Sequence, residues 1–204
     1  MDMESSENKN PGSMDRVRDS RDLAQGSSFT ARRARELAQK AGQLQSTDDI
    51  DVMFPDKNLE TAVREELKKD DGPLTRGDLK GLGELKASGR GIKNLSGLEH
   101  AVNLTSLILY NNQIRDLTPL SSLQRLEGLH VGGNQVTDIS PLASMSTLSE
   151  VVLSDNQIND VSPLLHVPNL FIAVIRNNPL NKESIEVHIP FAKGLERIPG
   201  GIVH

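Results

Sequence analysis

The sequence contains no cysteine and no tryptophan, and it has only one tyrosine and four phenylalanines among its 204 residues. The lack of cysteine excludes a disulfide framework, thiolate catalysis and cysteine-bound zinc. With so few aromatic rings and a hydrophobic content of 36%, any core must be aliphatic and thin. Leucine supplies that core, because all of the leucines except Leu23, Leu37 and Leu44 lie after residue 50.

An excess of positive charge is also missing, since 23 basic residues face 28 acidic ones and the net charge is −5. A nucleic-acid partner is therefore not expected. The chain has no apolar run of about 18 residues, which argues against membrane insertion. Residues 1–20 lack the basic-then-apolar order of a signal peptide. These features favour a cytoplasmic chain, and the alternative is a fragment of a secreted or cell-surface protein.

The first part of the chain, residues 1–50, differs in composition from the rest. Residues 1–27 are polar and charged, which predicts disorder. Residues 28–45 could form a helix with Thr30 as its N-cap, but the apolar stripe of that helix is mostly alanine and we assign it no function. The sequence thus predicts a disordered or partly helical N-terminal segment.

Residues 51–81 are predicted to form a helical cap. The first helix has an apolar face of about three turns, formed by Leu59, Ala62, Val63 and Leu67. The sequence DDGP at residues 70–73 ends this helix, and Thr75 and Asp78 then have the spacing of a capping box that begins a second, short helix. Both helices need an apolar neighbour.

That neighbour is a repeat of 22 residues. Leu82, Leu104, Leu126, Leu148 and Leu170 are separated by this interval, and so are Leu85, Leu107, Leu129, Val151 and Ala173. Repeats of 20 to 29 residues are typical of leucine-rich repeats, which bury their apolar faces only by stacking. We place the repeats at residues 82–180, followed by a C-terminal cap and tail at 181–204. Within that last segment, Pro179 ends the pattern and residues 184–188 are expected to close the core as a short helix.

Two polar columns accompany the leucines. Asn112, Asn134, Asn156 and Asn178 recur at the point where each turn leaves its strand. An asparagine carries both a donor and an acceptor, so these side chains are predicted to form a structural ladder that satisfies backbone groups. The aspartates of the second column, Asp116, Asp138 and Asp160, are interpreted as turn acceptors, because one carboxylate per turn is too few for a calcium or other metal site.

Residues 104–123, LTSLILYNNQIRDLTPLSSL, resemble the 22-residue bacterial leucine-rich repeat of internalins. The resemblance covers about residues 52–190 and includes a helical N-terminal cap. It implies an α/β fold, a leucine-rich repeat solenoid with a curved parallel sheet of about five turns. It also implies a protein-binding function. Arg90 departs from the family pattern at the first asparagine position, where we expect the cap helices to satisfy the backbone instead.

The outward strand positions of such a solenoid form its concave face, which we define by three rows of residues. The first row is Glu84, Ser106, Gly128, Glu150 and Ile172. The second is Lys86, Ile108, His130, Val152 and Val174. The third is Ser88, Tyr110, Gly132, Ser154 and Arg176. Five strands would span roughly 20 to 25 Å, a width that suits a helix or a peptide.

The concave face carries more apolar residues than a solvated sheet face needs. Ile108, Val152, Ile172 and Val174 lie beside the only tyrosine and predict an exposed apolar patch, although β-branched residues also suit strands by propensity alone. Gly128, Gly132 and Gly133 predict a dip around His130. The residues predicted to bind a partner are Lys86, Ile108, Tyr110, His130, Glu150, Val152, Ile172, Val174 and Arg176.

No catalytic motif accompanies this face. His130 and Glu150 lie on adjacent turns and could exchange a proton, but a shallow solenoid surface offers no closed pocket. We therefore predict a monomeric, non-catalytic module without a cofactor that binds a protein or peptide. Two alternatives stay open: a structural or adhesive fragment of a larger surface protein, and a carbohydrate-binding module, for which Tyr110 alone supplies little aromatic surface.

Overall fold

The structure is a computed structural model that describes Arg33 and residues 46–188. Arg33 is helical. The other residues of the predicted N-terminal disorder and helix, together with the tail at 189–204, lie outside the described residues.

The continuous described part begins with a short 3-10 helix and two α-helices, and an antiparallel bridge joins Asp51 to Thr75. A short 3-10 helix at Thr47–Asp49 precedes helix α1, Lys57–Leu67, and helix α2 is Arg76–Leu79. Helix α1 buries Leu59, Ala62 and Val63 and packs against the first strand of the sheet. The capping box of α2 is confirmed: Thr75 Oγ1 accepts the Asp78 N–H at 3.2 Å, and Asp78 Oδ2 accepts the Thr75 N–H at 2.7 Å.

Five short parallel strands follow at intervals of 22 residues. They are β1 at Glu84–Lys86, β2 at Ser106–Ile108, β3 at Gly128–His130, β4 at Glu150–Val152 and β5 at Ile172–Val174, and they pair in chain order in one sheet. The register aligns the predicted inward column, Leu85, Leu107, Leu129, Val151 and Ala173. All five of these side chains are buried. The leucine-rich repeat solenoid is therefore confirmed.

Each of the first four strands is followed by a 3-10 helix on the return side of its turn. These helices are Leu98–His100, Thr118–Leu120, Ser140–Ser144 and Ser162–His166, and a proline stands in the first turn of the last three. The aspartates are turn acceptors, as expected: Oδ1 of Asp116, Asp138 and Asp160 each accepts a backbone N–H two residues later at 2.8 Å. Carboxylate and proline together fix the direction in which the chain turns back.

A third column, in the turn that follows the strands, consists of residues with a left-handed backbone conformation. Asn111, Asp155 and Asn177 have φ between 56° and 58°, and Gly133 in the same column has φ of 70°. This left-handed conformation strains most side chains, but asparagine, aspartate and glycine tolerate it. The turn after each strand therefore selects these three residue types.

The C-terminal end of the array is closed by a helical turn at Ser184–His188, as the sequence predicted, and the turn is π-helical. Ser184 is buried, and its Oγ accepts the Val161 N–H at 3.1 Å. Pro179 occupies the position at which Gln157 donates its N–H to the Val136 carbonyl. Because proline has no N–H, this pairing of successive turns ends there.

Candidate functional site

The asparagine side chains fix the ends of the strands that carry the concave face. Asn112 Oδ1 accepts the Arg90 and Ile92 N–H groups at 3.0 Å, while its Nδ2 donates to the Ala87 and Leu109 carbonyls at 2.9 Å. Asn134, Asn156 and Asn178 repeat three of these four bonds one, two and three turns later, and only the counterpart of the Arg90 bond is absent. The first three are buried, and Asn178, in the last turn, is half-buried. These bonds hold each turn against its neighbours.

Arg90, which replaces the first asparagine, is held by the cap instead. Its guanidinium lies 2.6 Å from Glu65 Oε2 on helix α1. Asp56, the N-cap residue of the same helix, accepts the Lys93 and Asn94 N–H groups at Oδ2 at 2.7 and 3.1 Å. Burial alone would raise the pKa of Asp56, but these two donors and two more from its own helix lower it below its usual value. The cap thus continues the support that the asparagines give elsewhere.

The register brings the predicted binding residues into rows across the sheet. Pairing in sequence order aligns Lys86, Ile108, His130, Val152 and Val174, and it places Glu150 beside Ile172. Tyr110 and Arg176 follow β2 and β5 by two residues and complete the set. All nine residues therefore belong to one surface, with Lys86 and Arg176 exposed and the other seven half-buried.

The apolar residues of this surface are less exposed than the sequence suggested. Ile108, Val152, Ile172 and Val174 are half-buried, because each side chain is flanked by its register neighbours on adjacent strands. The more exposed large apolar residues of the described part lie elsewhere, for example Phe171 at 44% exposure, directly before β5. The patch is therefore a set of partly covered aliphatic groups and not a row of protruding ones.

The centre of the concave face is a contact between three polar side chains. His130 Nε2 lies 3.1 Å from Glu150 Oε1, so the two residues do come together across adjacent strands. The Tyr110 ring is tilted by 50° against the His130 ring, with the ring centres 5.5 Å apart. Burial, with a smaller contribution from the charge of Glu150, raises the pKa of Tyr110. Ionisation of the Tyr110 hydroxyl is therefore disfavoured further.

The glycines around His130 do not leave the predicted dip. A Cβ at Gly132 would lie 3.1 Å from Tyr110 Cδ1, because the tyrosine ring lies over this glycine. A Cβ at Gly133 would overlap Asn111 Oδ1. Only Gly128 leaves open space, since nothing lies within 4 Å of a Cβ built there. The open space is therefore limited to Gly128, because the Tyr110 ring fills the space at Gly132. The sequence alone does not show where that ring packs.

Two pairs of ionisable side chains on the concave face are in contact, and one cation among the described residues makes no such contact. Lys86 Nζ lies 2.9 Å from Glu84 Oε2 on the same strand, and His130 is paired with Glu150. The Arg176 guanidinium makes no hydrogen bond or ion pair to another described residue. A cation at the β5 end of the face is therefore available to a partner.

No metal site is evident in the part of the chain that the structure describes, since residues 46–188 contain no group of three His, Asp or Glu side chains that could hold an ion.

A shallow depression of about 390 Å³ lies between two return helices and is lined by Ser96, Glu99, Asp116, Pro119 and neighbouring hydroxyl groups. It includes none of the predicted binding residues.

These features define a leucine-rich repeat protein. A family model of leucine-rich repeats, two copies in length, matches residues 102–144 and 124–166. Among solved structures, internalin C2 of Listeria monocytogenes is 32% identical, with 71% of this chain and 72% of that chain covered and a TM-score of 0.52. The chain belongs to the internalin family of leucine-rich repeat proteins. A comparison with curated protein sequences gives no match.

Two further internalins of the same species have similar structures. InlF is 27% identical over 63% of this chain, with a TM-score of 0.55, and the functional domain of InlJ is 25% identical over 62%, with a TM-score of 0.56. The chain spans 45% of the InlF chain and 28% of the InlJ chain. Among the described residues, no helix has the length and apolar character needed to cross a membrane.

Proposed function

We propose that the concave face binds a protein or peptide partner and that the module itself is not catalytic. The observation that carries this proposal is the register, which gathers four aliphatic side chains and Tyr110 on the open side of the sheet. Apolar groups collected on a solvated face favour contact with a partner. The asparagine ladder supports this, because a face fixed by buried hydrogen bonds loses little entropy on binding.

The alternatives have less support. Carbohydrate binding relies on an exposed aromatic face, but the Tyr110 ring is half-buried and lies between Gly132 and His130. Proton transfer by His130 and Glu150 would need exclusion of water, and this pair lies on an open sheet. An adhesive role within a larger protein is compatible with partner binding. The family membership supports that setting, because internalins are commonly exported, and it favours a secreted or cell-surface location over a cytoplasmic one.

The test is a pull-down from lysate of the source cells. It compares the full wild-type chain with a triple variant, Ile108→Glu, Val152→Glu and Val174→Glu. A matched control places the same three charges on exposed return-side positions, Gln124→Glu, Thr137→Glu and Ser144→Glu. Circular dichroism and size-exclusion chromatography would first establish that all three proteins are folded and monomeric. Bound proteins are then quantified by mass spectrometry.

We expect a protein that is retained by the wild type and the control but lost with the concave triple variant. Equal retention by all three folded proteins would contradict the proposal, and so would the absence of any retained protein. In either case the apolar rows would reflect strand propensity alone, and a purely structural role would replace the binding function.

A further inference from the structure

The outward residues of the concave face become more apolar from one end of the sheet to the other. Strand β1 presents Glu84 and Lys86, whereas β5 presents two β-branched aliphatic residues, Ile172 and Val174. Val152 on β4 is paired in register with Val174. We refer to Val152, Ile172 and Val174 as the β5 patch. Hydrophobic contact on this face is therefore concentrated at the β5 end.

The same end carries the uncompensated cation. Arg176 follows Val174 by two residues, is exposed, and makes no ion pair to a described residue. The carboxylate of the neighbouring turn, Asp155, forms no ion pair with Arg176, and its Oδ1 accepts a hydrogen bond from Asn177 Nδ2 at 2.7 Å. At the opposite end, Lys86 is paired with Glu84. Charge complementarity therefore favours a partner that brings an anion to the β5 end and not to the β1 end.

The distance between the β5 patch and Arg176 limits which peptide sequences can contact both. Two residues along a strand span about 6.6 Å, and a peptide lying extended along the strands has the same repeat. A partner segment with an aliphatic residue over Val152 and Val174 would therefore place the side chain two residues away beside Arg176. A carboxylate there can accept two parallel hydrogen bonds from a guanidinium.

We propose that the β5 patch and Arg176 form a subsite for an acidic peptide segment in which a large aliphatic residue and an Asp or Glu are two positions apart. This inference rests on the proposed function, because it names the partner chemistry for the same face. It adds that the carboxylate of the partner, and not apolar contact alone, selects the sequence that binds.

The test uses a phage-displayed library of random peptides, selected in parallel on four folded forms of the full chain. These are the wild type, Arg176→Glu, the triple variant of Ile108, Val152 and Val174 described above, and Arg115→Glu as the control. Arg115 is also exposed but lies outside the concave face. Selected peptides are then synthesised with their acidic residue and with the matching amide, and their affinities are measured by calorimetry.

We expect the wild type and Arg115→Glu to select peptides with an acidic residue two positions from an aliphatic one. Arg176→Glu should lose this selection. Replacing the acidic residue by its amide should weaken binding to the wild type about tenfold or more, the usual effect of losing a charge-assisted hydrogen bond, and should leave binding to Arg176→Glu unchanged.

Two other results have distinct meanings. Peptides that bind the wild type, are lost with the triple variant, and show no acidic preference would overturn the subsite while leaving concave-face binding intact. If the wild type selects no peptide, or if the triple variant selects the same peptides as the wild type, the subsite and the proposed function are both contradicted.

Discussion

The asparagine ladder allows a quantitative prediction for Asn134→Ala. The buried Asn134 accepts the Ile114 N–H at 3.0 Å, and its Nδ2 donates to the carbonyls of Leu109, Val131 and Gly132 at 3.0, 2.9 and 3.3 Å. Alanine would remove all four bonds and add a small void. The cost depends on which of the four backbone groups is left without a partner.

The three carbonyls each keep another donor. These donors are Asn112 Nδ2 for Leu109, Asn156 Nδ2 for Val131 and the Asn111 N–H for Gly132. The Ile114 N–H has no second acceptor among the described residues, and Ile114 is fully buried. An unsatisfied buried donor costs about 1 to 3 kcal/mol. We therefore expect Asn134→Ala to lower the free energy of unfolding by about 2 to 3 kcal/mol.

Equilibrium urea unfolding followed by circular dichroism measures this change. Gln135→Ala is the matched control, because the neighbouring side chain only accepts a bond from Arg115 Nε at the surface, and it should change stability by less than about 0.5 kcal/mol. Asn178→Ala should cost about 1 kcal/mol, since water can reach this half-buried end of the ladder. The reasoning would be refuted if Asn134→Ala and Gln135→Ala unfolded at the same urea concentration.

Two further predictions concern the turns and the cap, and urea unfolding tests both. Gly133→Ala should cost about 1 to 2 kcal/mol, because φ is 70° and the new Cβ would meet Asn111, whereas Gly128→Ala, with open space around it, should be neutral or slightly stabilising. Equal effects would contradict this. Asp56→Asn should cost about 1 to 2 kcal/mol at pH 7, since an amide has one oxygen for two sets of donors. Because the pKa of Asp56 is lowered in the folded state, its contribution is present above the unfolded pKa and is lost as the pH falls through the folded one. The difference should therefore shrink below about pH 4, and a constant difference would argue against it.

The fold was predictable because the 22-residue pattern repeats the same local requirement. Each turn must bury a leucine-rich column and satisfy its backbone, so Leu107 and Asn112 recur in equivalent form in the later turns. Because equivalent residues occupy equivalent positions in these turns, the strands stack in parallel and in one register. The pairing of His130 with Glu150 was also accessible, since adjacent turns place equivalent positions side by side.

The details of the concave face were less accessible. Sequence reasoning predicted an exposed apolar patch and a dip around His130, but the aliphatic residues are half-buried and the Tyr110 ring lies over Gly132. It also did not identify the left-handed column that includes Asn111 and Gly133. The recurrence of Asn, Gly and Asp at those positions was a signal that could have revealed that column.

The sequence by itself determined the repeat length, the inward core and the strand register, because these follow from periodic burial along one chain. Only the tertiary structure decided how residues far apart complete each other, as when Asp56 accepts hydrogen bonds from Lys93 and Asn94. It also decided that Lys86 pairs with Glu84, its neighbour on the same strand, while Arg176 makes no ion pair to a described residue. The physical reason is that exposure and charge compensation depend on side-chain conformations and on neighbours from other turns, which a periodic pattern does not specify.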